Sequence, residues 1–312
     1  MSETPLPALA RRAPESAWLR LRRGRALPLL ILVAVLIVIW YLGAIWLNAQ
    51  RVIDLYEADD DLKNTWTTGD LVRDTLSMNR PVLPAPHQVL MELDRSVLEV
   101  PPDSNRSLLY HAWVTLSAAL VGFAMGALLG IVLAIGIVHV ATLERALMPW
   151  VIASQTIPIL AIAPMIIVVL GSIGFVGLMP KAFISAYLCF FPVTIGMVKG
   201  LTSPEPIQLD LIRTYSASRG QVFRKLRWPA SFPFLFPSLK IAVALAVVGA
   251  IVGELPTGAA AGLGARLLAG SYYGQTIQIW SALVLASLVA GLSVAAVGWT
   301  ERLTLRHMGG RV

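Results

Sequence analysis

The chain has 312 residues, of which 56% are hydrophobic and only 14% charged, with a formal net charge of +7. Soluble domains carry about 25% charged residues, so this composition excludes an ordinary soluble protein and points to an integral membrane protein. Its single cysteine, Cys189, excludes an internal disulfide, and the histidines at 87, 111, 139 and 307 form no metal-ligand constellation.

Residues 1–27 hold six arginines and read as a basic cytoplasmic tail. The charge-free run Ala26 to Gln50 can cross a hydrocarbon core of about 30 Å, which places a first transmembrane anchor at 28–47. A cleaved signal peptide is the rival reading. The run is too long for one, and Trp46-Leu47-Asn48-Ala49 is a poor cleavage site. Residues 48–107 are polar, with Glu57, Asp59, Asp60 and Asp61 clustered, and read as an external segment. Its prolines at 84 and 86 start an interfacial helix.

Residues 108–300 read as a core of five further transmembrane helices, followed by a cytoplasmic tail at 301–312. Ser107 to Leu143 lacks any Asp, Glu, Lys or Arg, and Ala118, Gly122, Gly126, Gly130 and Ala134 recur every fourth residue. Such a stripe lets helices approach closely in a membrane, a structural role. Glu144 and Arg145 then mark a short inner turn. The next uncharged run, Ala146 to Pro180, is broken by Pro149, Pro158, Pro164 and glycines 171, 174 and 177. Breaks free backbone polar groups, which are tolerated only against protein or a hydrated cavity. Gln155 and Thr156 are therefore candidates for a pathway lining, with a Gln bonded to a neighbouring helix as the structural alternative.

Seventeen uncharged residues separate Lys181 from Lys199, a short span whose two lysines are expected to snorkel to the interfaces. Phe234 to Pro256 is the next span. Glu254 lies within it, and an acid in a membrane span is by default functional. Pathway lining and a hydrated structural role at the outer interface both remain open for it. Gly258 to Gly270 reads as an external connection or re-entrant hairpin, and 277–299 as the last span. Six spans put both termini in the cytoplasm. Segments assigned inside carry 17 Lys and Arg and those assigned outside 8, in line with the positive-inside rule. That rule explains the net charge more simply than nucleic acid does.

The longest polar stretch between spans in the second half, 201–233, carries Arg213, Arg219, Arg224, Lys225 and Arg227 against Glu205 and Asp210. Pro204 and Pro206 can open a helix, and Leu209, Ile212 and Tyr215 recur at helical spacing. Ser218 with Gln221 forms a capping box for a second short helix. Val222, Phe223 and Leu226 give that helix an apolar edge, and Pro229 is expected to stop it.

This segment resembles the coupling loop, or EAA motif, of permease subunits of binding-protein-dependent ABC importers. Asp210, Leu211 and Ile212 stand at the EAA position, Ser216 where a turn glycine is usual, and Leu226 to Pro229 at the closing element. A serine at positive φ costs about 1 kcal/mol, so either the turn moves toward Gly220 or its geometry differs. Leu83-Pro84-Ala85-Pro86-His87-Gln88-Val89 is similar to an element of nitrate-, sulfonate- and taurine-type permeases. The resemblance implies an all-α fold of about six transmembrane helices with a cytoplasmic two-helix coupling loop, in a bacterial inner membrane. It also implies a homodimer joined to cytoplasmic ABC ATPase subunits and an external solute-binding protein. The ATPase-docking residues would be Asp210, Ile212, Arg213, Tyr215, Ser216, Val222, Phe223, Leu226 and Pro229. The translocation pathway would involve Gln155, Thr156 and Glu254.

No lysine follows the glycines of a G-x-x-x-x-G-K-[ST] loop, and neither HExxH nor GxSxG occurs. The expectation is therefore a non-enzyme that binds no cofactor of its own, with ATP and Mg used by the partner ATPase. The solute would be a small organic molecule, such as a pyrimidine, a thiamine precursor or a sulfonate. Two other classes stay open: a gradient-driven secondary transporter, which needs paired membrane acids, and a membrane scaffold whose basic loop binds anionic lipid.

Overall fold

The computed structural model describes residues 26–59, 63, 65–256 and 261–308. Among them all regular structure is helical, and it falls into two units, through residue 88 and from residue 89 onward.

The first unit is built on α1, Ala26–Ala58. The expected anchor ended at residue 47, but the helix runs 11 residues further. The extension is stabilised by packing against α2, Thr68–Ser77. Asn48 is fully buried and accepts from Val82 N (2.7 Å) while donating to Leu83 O (2.9 Å). Tyr56 donates to Asp74 Oδ2 at 2.5 Å and stacks on Trp66. Thr67 caps α2 in a capping box with Asp70.

A third helix, α3, spans Pro86–Asp94 and ends in a π turn, Arg95–Glu99. From there the second unit is centred on α4 (Leu108–His139), α7 (Leu178–Leu201) and α10 (Trp228–Glu254). Ser107 caps α4 by accepting from Leu109 N. The stripe on α4 faces α7: a Cβ at 126 would stand 2.6 Å from Cys189 Cβ, and one at 130 would stand 2.8 Å from Phe190 O. Gly249 of α10 also meets α7, where a Cβ would lie 2.7 Å from Ser185 Cα. Ser185 Oγ and Cys189 Sγ donate to the α10 carbonyls of Ala246 and Ala242. Close backbone approach thus holds the three helices together where apolar burial alone would not distinguish protein from lipid.

Between α4 and α7 lie α5 (Ala141–Ala153), a 3-10 turn (Ser154–Thr156) and α6 (Ile159–Ser172), the two arms bent by 105°. The proline- and glycine-broken run is therefore a broken helix, as expected. The inner turn at Glu144 and Arg145 is corrected, because the chain turns at Val140 and both residues belong to α5. Glu144 in that first turn complements the helix dipole. Among the described residues, five helices are long and apolar enough to cross a membrane, or six if the bent pair counts as one span.

After α7 come α8 (Pro206–Thr214) and α9 (Arg219–Val222). Pro229 does not stop the helix, contrary to expectation. A π turn at Phe223–Arg227 widens the register, so that Trp228 N bonds Phe223 O and α10 follows without a break. Proline needs no amide donor there, since it sits at the first positions of the resumed α-helix. A further helix, α11 (Leu263–Tyr272), occupies much of the expected external connection at 258–270, of which 258–260 lie outside the described residues. The last helix, α12, runs Thr276–His307 and is longer than the expected 277–299. Glu301 on it pairs with Lys240 of α10, and the helix contains Arg302 and Arg306.

Candidate functional site

Two places in the second unit carry polar chemistry. The first is an exposed elbow, α8 and α9. Glu205 and Gln208 form a capping box that starts α8 with Pro206 at its first position, and Ser218 and Gln221 form the expected box at α9. Between the helices, Ser216 adopts φ +53°, the only positive-φ non-glycine among the described residues. The turn therefore stays at Ser216, while Gly220 is helical.

The elbow presents a row at i, i+4 and i+8: Ile207, Leu211 and Tyr215 are 72%, 58% and 79% exposed. Asp210 and Arg213 pair beside this row at 3.1 Å, both side chains in solvent. Ile212 instead turns partly inward, as do Val222, Phe223 and Leu226. Phe223 packs against the core, touching His139 and Trp228. Of the apolar positions singled out in the sequence, Tyr215 is thus exposed, whereas Ile212, Val222, Phe223 and Leu226 lie on the partly covered face. Helical spacing allowed both faces, and the choice depends on which one α4 and α10 cover.

The second place is the far end of α10. Glu254 is 0% exposed, so the expectation of a hydrated interface position is corrected. Thr115 Oγ1 of α4 lies 3.0 Å from both carboxylate oxygens. Lys181 Nζ of α7 approaches Oε1 at 3.4 Å, and Gly264 N of α11 donates to Oε2 at 2.8 Å. Lys181 also donates to Ala261 O and is only 6% exposed. Its expected snorkelling is corrected: α7 begins three residues earlier, at Leu178, and draws the ammonium inside. A charge in a membrane interior needs such a partner. Thr115, His111 and Lys181 were missed as members of this cluster, because their partners lie 73 or more residues away.

Gln155 and Thr156 are exposed at the bend between α5 and α6. Tyr187 of α7 donates to the neighbouring Ser154 O at 2.6 Å. Beside the bend, α4, α6 and α7 line an open groove of about 700 Å³ whose walls include Met125, Met165, Phe183 and Phe190. The structure does not bring Gln155 and Thr156 together with Glu254. Among the described residues, no cluster of His, Cys, Asp and Glu could hold a metal ion.

Residues 126–306 match the family described as "Binding-protein-dependent transport system inner membrane component". The formylaminopyrimidine transport permease protein of Halalkalibacterium halodurans is 33% identical over 153 residues, 49% of this chain and 56% of that protein. The riboflavin transport system permease protein of Chloroflexus aurantiacus is 34% identical over 203 residues, 65% of this chain and 74% of that one. A putative aliphatic sulfonates transport permease protein of Bacillus subtilis is 24% identical over 225 residues, 72% and 78% of the two chains. The match to the formylaminopyrimidine permease thus covers little more than half of that relative's length.

Proposed function

The chain belongs to the family of binding-protein-dependent transport system inner membrane components, and from that premise we propose that it is the permease subunit of an ATP-driven importer. The observation that carries this reading is the elbow. Three large apolar side chains stand in the open on a short capped helix, and the following helix rises from the same elbow into the membrane core without interruption. A protein docked on Ile207, Leu211 and Tyr215 would move α10 directly. The sequence lacks a G-x-x-x-x-G-K-[ST] loop, which supports assigning ATP hydrolysis to the docked partner.

One chain carries one elbow, which supports pairing of two copies across two ATPase subunits, with an external binding protein delivering the solute. Both termini would then lie in the cytoplasm. The broken helix and the groove beside it are the proposed pathway, with Gln155 and Thr156 at its bend. The relatives named for formylaminopyrimidine, riboflavin and aliphatic sulfonates support a small organic solute. Glu254 is kept out of the pathway, because no solute reaches a carboxylate with no exposed surface. A gradient-driven transporter is less well supported: Glu254 is the one fully buried acid among the described residues, and it is already paired with Lys181.

The test is co-purification with a candidate partner ABC ATPase. Leu211→Asp puts a charge on the exposed row and is expected to abolish the complex while the permease remains folded. An intact complex would reject the docking surface. A cysteine placed at Ser216 should resist an impermeant thiol reagent in sealed cells and react after lysis. Labelling in sealed cells would place the elbow outside and end the importer reading.

A further inference from the structure

At the start of α11 three successive backbone N–H groups, those of Gly262, Leu263 and Gly264, point at side chains of other helices. Gly262 N donates to His111 Nδ1 at 2.9 Å, Leu263 N to Thr115 Oγ1 at 2.8 Å and Gly264 N to Glu254 Oε2 at 2.8 Å. The first N–H groups of a helix have no partner within it. Here His111 and Thr115 of α4 and Glu254 of α10 cap α11 in trans, and a carboxylate suits the positive end of its dipole. The fit is tight: Gly262 has φ +131°, and a Cβ on it would collide with the Glu254 carboxylate. Lys181 of α7 completes the cluster by reaching both Glu254 and Ala261 O. One carboxylate therefore holds α4, α7, α10 and α11 in register.

Glu254 is also the far end of the helix that rises from the elbow. Arg219 to Glu254 is 36 residues of continuous helix, about 54 Å at 1.5 Å per residue. A displacement at the elbow reaches α11 through this rod, and the point of transfer is the Glu254 carboxylate. We propose that Glu254 and Lys181 are positioning residues for transport. Their pair, with Thr115, forces α11 to follow α10, so that movement at the docked elbow repositions the segment capping the far end of the core. Packing alone does not require charge at this point. Uncompensated charges in a membrane interior are costly, and a best-attested use of buried ion pairs is to fix register.

The inference rests on the importer reading, and its test separates the two. The permease, its ATPase and its binding protein are reconstituted in proteoliposomes. ATP hydrolysis, solute uptake and the distance between spin labels at positions 113 and 272 are then measured with and without a non-hydrolysable ATP analogue. In the wild type the distance shifts when the analogue binds. Glu254→Gln keeps one acceptor oxygen, which can serve both Thr115 and Gly264, but loses the pairing with Lys181. It is expected to retain assembly and basal ATP hydrolysis, to lose the distance shift, and to lower uptake per ATP by about tenfold. If Glu254→Gln does not assemble, Thr115→Val and Thr115→Ser decide. The serine variant keeps the hydroxyl and should couple normally, and the isosteric valine should not. Wild-type coupling and distance shift in Glu254→Gln, or equal behaviour of the two Thr115 variants, overturns the proposal. A wild type that neither binds nor stimulates the ATPase overturns the importer reading instead.

Discussion

Phe223 meets His139 edge-on, with ring centroids 5.3 Å apart and planes at 70°. His139 ends α4 and is itself bonded to Ile135 O, while Phe223 leans on Trp228 at the start of α10. The contact clamps the root of the elbow to two core helices. Phe223 is therefore an anchor within the chain, and the proposed docking knobs are the exposed Ile207, Leu211 and Tyr215.

The two roles separate on mutation. Phe223→Ala removes a half-buried ring from an aromatic cluster and should cost about 1–3 kcal/mol of stability. Tyr215→Ala deletes a side chain in solvent and should change stability by no more than about 0.5 kcal/mol. As a central aromatic contact, it should nevertheless weaken ATPase binding by about tenfold or more. Thermal unfolding and affinity for the purified ATPase check both. Equal melting temperatures for the two variants would contradict the assignment.

The turn at Ser216 allows a balance of magnitudes. A left-handed conformation costs a non-glycine residue roughly 1–2 kcal/mol, while glycine gives back about 0.5–1 kcal/mol through its freer unfolded chain. Ser216→Gly should therefore stabilise the protein by only about 0.5 kcal/mol, and a β-branched residue should do the reverse. In thermal unfolding Ser216→Gly should melt slightly above the wild type and Ser216→Val clearly below it. A Ser216→Val protein as stable as the wild type would mean that this turn is not held at φ +53° in solution.

Close helix packing predicts a graded glycine series. Gly126→Ala places a methyl group 2.6 Å from Cys189 Cβ and 2.7 Å from Ala186 O, so α4 and α7 must separate, at a cost of about 1–3 kcal/mol. At Gly291 on α12, a Cβ would meet nothing within 4 Å. Gly291→Ala should therefore be neutral or stabilising by up to about 1 kcal/mol through helix propensity. Detergent unfolding curves that rank the two variants the other way would remove close approach as the basis of the α4–α7 contact.

These cases show which features were legible in the sequence. The stripe at 118, 122, 126, 130 and 134 was readable because small residues at every fourth position directly encode a helix contact. The capping box at Ser218 and Gln221 was readable because both partners lie within one turn. Lys181 was misread because its partner, Glu254, is 73 residues away and no local spacing announces the pair. The same distance hid Thr115 and His111, whose partners sit 139 and 151 residues away. At Pro229 a sound local rule was overridden. The π turn at 223–227 shifts the hydrogen-bond register, and the helix passes through the proline. The end of α1 was misplaced for a related reason, since hydropathy marks where a helix leaves apolar surroundings and not where its packing partner ends.

That last point makes Asn48 a sharp test of the first unit. The residue sits in α1 one position past the expected end of the anchor, and its side chain is fully buried. Its Oδ1 accepts from Val82 N at 2.7 Å, and its Nδ2 donates to Leu83 O at 2.9 Å, so one amide satisfies both polar sides of the 82–83 backbone. Asn48→Leu has similar volume and better hydropathy for a membrane helix, so a purely lipid-facing position would tolerate or prefer it. In this structure the substitution removes the partner of the part-buried Val82 N–H and Leu83 C=O, at about 0.5–1.5 kcal/mol for each lost hydrogen bond. The segment following α2 should then detach from α1. Limited proteolysis between Met78 and Leu83 should accelerate by at least about tenfold, the equivalent of 1.4 kcal/mol in the opening equilibrium. Asn48→Asp keeps the acceptor for Val82 N but loses the donor to Leu83 O, and it should fall between the wild type and the leucine variant. A leucine variant cut no faster than the wild type would show that the helix beyond residue 47 is not fixed by this amide.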